Sequence, residues 1–151
     1  MNVAAVKTRL AAIQEAIPGV LVAYAQGPLS LAGANMPCFV NLTRQATVDW
    51  EQGSDLEIET RLYAMQLYVM SFGQGIPGEA ERKCEPFFPL IRDTFAARPG
   101  LENLPGVQKA TFLGDSGVII MSYPLQGERY FGVEFRLQVS EIVERSYANY
   151  D

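Results

Sequence analysis

Histidine is missing from this chain altogether. Its absence removes the commonest general base and metal ligand near neutral pH, and with it the Ser-His-Asp, Cys-His and imidazole-zinc arrangements. Cysteine is nearly as scarce: Cys38 and Cys84 are too few for a secreted disulfide framework and too far apart for a Cys-x-x-Cys pair. Buried apolar filler is their expected role. No apolar run approaches the ~18 residues that span a bilayer, and no basic segment followed by an apolar stretch opens the chain. A soluble protein made in a reducing cytoplasm is expected, so the Asn41-Leu42-Thr43 glycosylation triplet has no meaning here. Basic residues are in the minority. Twelve Lys and Arg against 17 Asp and Glu leave a net charge of −5, which disfavours stable nucleic-acid binding because that requires a surface tracking phosphates.

Apolar residues are plentiful. At 151 residues and 48% hydrophobic, the chain fits one domain, residues 1–151, able to bury roughly 68–70% of its unfolded surface. The clearest pattern lies in the C-terminal third. Phe131, Val133, Phe135, Leu137 and Val139 alternate with Gly132, Glu134, Arg136 and Gln138, the period of a strand with one face on a core. Val118 to Tyr123 reads as a second strand and Val107 to Leu113 as a third, with turns at 114–117 and 124–128 making a three-stranded meander. A polar tail from about 144 to 151 is expected to fray.

Upstream, Val3, Val6, Leu10, Ile13 and Ile17 recur at three-and-four spacing, predicting an amphipathic helix stopped by Pro18-Gly19. Gly19 to Ala25 is a short, wholly apolar strand, covered on both faces or placed centrally. A Gly- and Pro-containing loop follows over 26–36. Residues 37–60 read as a hairpin arm whose mixed polarity suits an edge or a projecting element, with its tip at 52–55. Ile58 to Phe72 is a mid-sheet strand, with Leu62, Ala64, Tyr68, Met70 and Phe72 on one face and Tyr63, Met65, Leu67 and Val69 on the other. Ala80, Cys84, Phe87, Ile91 and Phe95 predict a second amphipathic helix over 77–97, kinked or divided by Pro86 and Pro89. The expected fold is α+β: a two-layer, mainly antiparallel sheet with two amphipathic helices on one face and a projecting hairpin arm.

Three motifs bear on chemistry. Gly73-Gln74-Gly75-Ile76-Pro77-Gly78 is formally G-x-G-x-x-G between a strand and a helix, but a dinucleotide site needs a parallel βαβ unit and an acidic residue closing the next strand. Asp93, the acidic residue at about that distance, falls inside the second helix. A Gly/Pro-rich connection accounts for the same letters. Asp49, Glu51, Asp55, Glu57 and Glu59 form the densest acidic run; Gly53 and Ser54 break the EF-hand pattern, leaving a solvated tip or an interface or channel lining. Trp50, the single tryptophan, is a core anchor or an interface hot spot. Neither enzymatic activity nor a metal or cofactor is expected.

The order of elements carries a resemblance. The helix ending Ile17-Pro18-Gly19-Val20, the hairpin around the acidic tip, the strand Arg61-Leu62-Tyr63-Ala64-Met65-Gln66-Leu67-Tyr68-Val69, the Leu104-Pro105-Gly106-Val107 turn and Gly127-Glu128-Arg129-Tyr130-Phe131-Gly132-Val133-Glu134-Phe135 together resemble the tail terminator, or tail completion, proteins of long flexible-tailed bacteriophages. The resemblance spans nearly the whole chain, in apolar and turn patterns rather than catalytic letters. It implies a virion protein forming a homo-hexameric ring that caps the tail tube protein, stops its growth and joins the head through a connector or stopper protein. DNA would pass the lumen without stable binding, eased by an acidic lining of Asp49, Glu51, Asp55, Glu57 and Glu59. Arg44, Trp50 and Arg61 are the expected anchors of the ring or tube contact, since projecting hairpins suit heterologous contacts. Another neck or tail ring component, or a small nucleotide-binding module using Gly73 to Gly78, stands as the alternative.

Overall fold

A computed structural model describes residues 2–31, 35–50, 56–74, 76–123 and 127–144, apart from the side chains of Trp50, Gln74 and Glu144. The expected hairpin tip at 52–55, Gly75 and the tail beyond 144 lie outside the described residues. The chain is α+β. In order come α1 (Val3–Glu15), β1 (Val22–Tyr24), β2 (Cys38–Trp50), β3 (Leu56–Ser71), a 3-10 turn (Phe72–Gln74), α2 (Pro77–Cys84), α3 (Phe87–Ala96), β4 (Val107–Asp115), β5 (Ile119–Ser122) and β6 (Arg129–Glu144). One sheet runs β1-β2-β3-β6-β4, with β5 also on β6. All described pairings are antiparallel except β1 with β2.

The alternation in β6 decides which face is covered. Phe131, Val133, Phe135, Leu137 and Val139 are buried with Phe39, Met65 and Leu67 of the neighbouring strands, under Leu10 and Ile13 of α1 and Cys84, Ile91 and Phe95 of α2 and α3. Removing such side chains from water stabilises by about 1.5–3 kcal/mol each, which is what holds the helices on this face. The predicted division of the second helix falls at Glu85–Pro86. Pro89 is nevertheless helical, because it sits in the first turn of α3, where a backbone N–H would have no intrahelical acceptor.

A second, smaller core lies on the opposite face, where Leu31, Cys38, Val40, Tyr68, Met121, Tyr123 and Tyr130 cluster. Tyr68 meets Tyr123 and Tyr130 edge-on, with centroids 6.0 and 5.7 Å apart, a favoured aromatic geometry.

Of the two readings of the apolar strand at 19–25, covered on both faces is the one that holds: β1 forms the sheet's outer column, with Ala23 against the first core and Val22 and Tyr24 against the second. Two expectations need correction. The meander forms only in part: β5 and β6 make the expected antiparallel hairpin, but β4 and β5 follow one another along the same side of β6 instead of pairing together. Ser116 joins them to that strand, donating its N–H to the Glu134 carbonyl and accepting the Glu134 N–H on Oγ. Finally, a bulge between Tyr68 and Met70 resets the alternation of β3, so Met70 joins the helix-side core while Tyr68 stays on the other face.

Candidate assembly surface

The hairpin of β2 and β3 forms as expected and has a third strand beside it. From Thr60 to Leu56, β3 pairs with β6 from Ser140 to Glu144, and β4 flanks β6 only as far as Glu141, so the arm continues the sheet and is three-stranded at its outer end. On its other side, β2 is covered by β1 only at Cys38 to Val40. From Asn41 to Trp50 it is the outer edge among the described residues, and Thr43, Arg44, Gln45, Thr47, Val48 and Asp49 are exposed. An edge of this length presents a row of backbone groups able to pair with another chain.

A register shift between Thr43 and Ala46 bends this edge at Arg44 and Gln45. Arg61 fixes the bend by donating from Nη1 to the Arg44 carbonyl at 2.9 Å, while its Nε pairs with Glu59 Oε1 at 3.0 Å. Arg44 turns to the face away from the helices and donates to Glu134 Oε1 at 2.9 Å. Gln66 donates to the same oxygen at 3.0 Å, Arg136 lies 3.4 Å from the other oxygen, and the Tyr68 hydroxyl donates to Gln66. Burial alone would raise the Glu134 pKa, but the hydrogen bonds from Gln66, Arg44 and Arg136 outweigh it and hold the carboxyl below its ordinary range. Two of the three anchors expected from sequence, Arg44 and Arg61, thus meet at one bend and rigidify the arm. The side chain of the third, Trp50, lies outside the described residues.

The acidic run is not one solvated patch. Glu57 and Glu59 point to the helix side and are only 3% and 4% exposed, whereas Asp49, paired with Ile58, lies exposed on the other face; Glu51 and Asp55 are outside the described residues. Strand alternation divides what looked contiguous in sequence. Glu59 stands directly opposite Glu141, itself 7% exposed, and Glu141 Oε2 accepts the Asn2 N–H at 3.2 Å where α1 begins. A helix N-terminus is a favourable neighbour for negative charge. Burial and the nearby Glu141 and Glu59 raise the Tyr63 hydroxyl pKa against the opposing effect of Arg61. In the single chain, then, Glu57 and Glu59 are buried and do not line a surface.

Sequence reading missed Glu134 because it occupies a polar phase of β6 like any solvent-facing residue. Glu141 carried a signal: it continues the phase of Leu137 and Val139, so a charge there had to lie on the covered face.

The glycine-rich connection is a 3-10 turn leading into α2, with Gly75 outside the described residues. The strand after the helices, β4, pairs with β6, which separates it from β3, so no adjacent parallel βαβ unit exists among the described strands. Asp93 is exposed on α3 beside Arg92. Among the described residues no group of three or more acidic or cysteine side chains is placed to hold a metal ion, and no helix is long and apolar enough to cross a membrane. No protein-family model matches the chain, and no curated protein resembles it at a significant level.

Proposed function

We propose that this chain is a structural virion subunit that assembles into a ring on the end of a phage tail tube, halts tube growth and presents the joining surface for the head. The observation that carries this reading is the arm: a stiffened extension of the sheet whose outer strand is open from Asn41 to Trp50. A compact monomer gains nothing from a long uncovered edge, and edges of this kind are normally blunted or used. Heterologous use of an edge builds rings when the rotation between neighbours closes. The net charge of −5 suits a lumen through which DNA slides without sticking. A neck connector, stopper or tube subunit would use the same edge, and position in the particle separates these roles.

The test is negative-stain microscopy of tail tubes mixed with the protein. Wild-type chain is expected to cap one end of each tube, while Val48→Lys, an exposed change on the arm, leaves ends bare with thermal stability unaltered. Capping by Val48→Lys at wild-type level would remove the arm from assembly, and bare ends with the wild type would remove the ring reading itself.

A further inference from the structure

The arm needs a receiving surface, and the far end of the same strands offers one. Where β3 ends and β6 begins, Phe131 still belongs to the helix-side core, but the side chains around it reach the margin of that cover. Phe72 stacks on Phe131 with centroids 5.4 Å apart, and Ile120 stands opposite Phe131 on β5. Phe72 and Ile120 remain 37% and 46% exposed. The Arg129 guanidinium lies over the Phe72 ring, 4.5 Å from its centroid. Among the described residues Arg129 forms no ion pair, so an exposed cation seated on a ring stands at the edge of an apolar patch without a carboxylate partner.

The arm carries the complement. Asp49, Ile58 and Ile142 form one cross-strand row on the face away from the helices, with an exposed carboxylate at one end and an isoleucine that is 43% exposed at the other. Ile142 and Arg129 stand thirteen positions apart along β6, roughly 40 Å at ~3.3 Å per residue. Patches so far apart, and on opposite faces, cannot meet within one molecule. We infer that the Asp49–Ile58–Ile142 row of one copy docks on the Arg129–Phe72–Ile120 surface of a second copy. This rests on the ring reading and names the surface that receives the arm. The contact is heterologous, each copy using its arm on one neighbour and its Arg129 end on the other, so it builds rings rather than closed pairs.

Charge reversal tests it. In sedimentation velocity over a concentration series, Asp49→Arg and Arg129→Asp are each expected to weaken self-association by about tenfold or more, and the double variant to recover it by restoring an opposite-charge pair. Both residues are exposed, so circular dichroism should show all variants folded. As a second measurement, Asp49→Cys and Arg129→Cys chains are mixed under oxidising conditions, alone and on tail tubes; cross-linked heterodimers are expected, since the native Cys38 and Cys84 are buried. Absence of the cross-link in both settings, or single reversals that associate like wild type, would overturn the inference. If wild-type protein still caps tubes in that case, the ring reading survives and only the receiving surface is wrong; bare tubes would sink both.

Discussion

Gly132 sits where three pieces of chain converge. A Cβ at this position would stand 1.9 Å from the Leu67 carbonyl oxygen and 2.6 Å from Met121 Cε, beside the bulge that resets β3. Backbone cannot yield as a flexible side chain can, so Gly132→Ala is expected to destabilise by about 3 kcal/mol or more, read from chemical denaturation. A different strain sits at Leu101, Glu102 and Asn103, three consecutive non-glycine residues with φ of 50, 59 and 61°. Each left-handed residue costs ~1–2 kcal/mol. The turn persists because Leu101 is buried in the main core and Arg9 reaches from α1 to donate to the Leu101 and Glu102 carbonyls, both at 2.9 Å. Glu102→Gly should therefore raise stability by about 0.5–1 kcal/mol, the solvent-exposed contact to Arg98 being worth little. Loss of stability in the thermal melt would show that the side chain matters more than its backbone.

At the scale of elements, α1 is tied to β2 by a buried pair: Gln14 and Asn41 exchange hydrogen bonds of 2.7 and 2.8 Å, and Asn41 also donates to the Tyr24 carbonyl. Asn41→Ala strands the Gln14 amide and should cost about 2–3 kcal/mol, whereas adding Gln14→Leu should return part of it; a cycle of the two variants measures the coupling. On the other face, Glu134 joins β6 to the arm bend. Its folded-state pKa is depressed, so its contribution is present above the unfolded carboxyl value of about 4.3 and is lost as pH falls through the folded value. Wild type is expected to lose stability below that pH more steeply than Glu134→Gln, and parallel acid limbs would contradict this. The helices, β6 and most of β3 were legible in sequence because their core-facing residues recur at one period over long stretches. The β4–β5 column was not, since turn chemistry at 114–117 fits a hairpin and a sideways step equally well. Nor was the shift at Tyr68, because a bulge depends on crowding from strands distant in sequence.

The whole molecule is a sheet with a helical layer on one face, a thinner aromatic layer on part of the other, and an arm whose outer strand β2 is left open. The candidate surface was half legible. Composition pointed away from histidine and imidazole-metal chemistry, and mixed polarity marked 37–60 as an arm; but a contiguous acidic run in one dimension becomes two opposed faces in a strand, and the Arg129–Phe72 stack joins residues 57 positions apart that no local pattern links. The two-layer arrangement has one further consequence. Cys84 belongs to the helix-side core and Cys38 to the aromatic layer, and burial pushes their thiols up to about 11 and about 12, so both stay protonated and closed to alkylating reagents in the native protein. Each thiol can then react only when its own layer opens, and with mass spectrometry to resolve the two sites, the labelling rates become separate clocks for the two sides of the sheet. Equal rates at Cys38 and Cys84 would mean that the layers open together; faster labelling of Cys38 would mean that the smaller layer lifts first, while the helices are still in place.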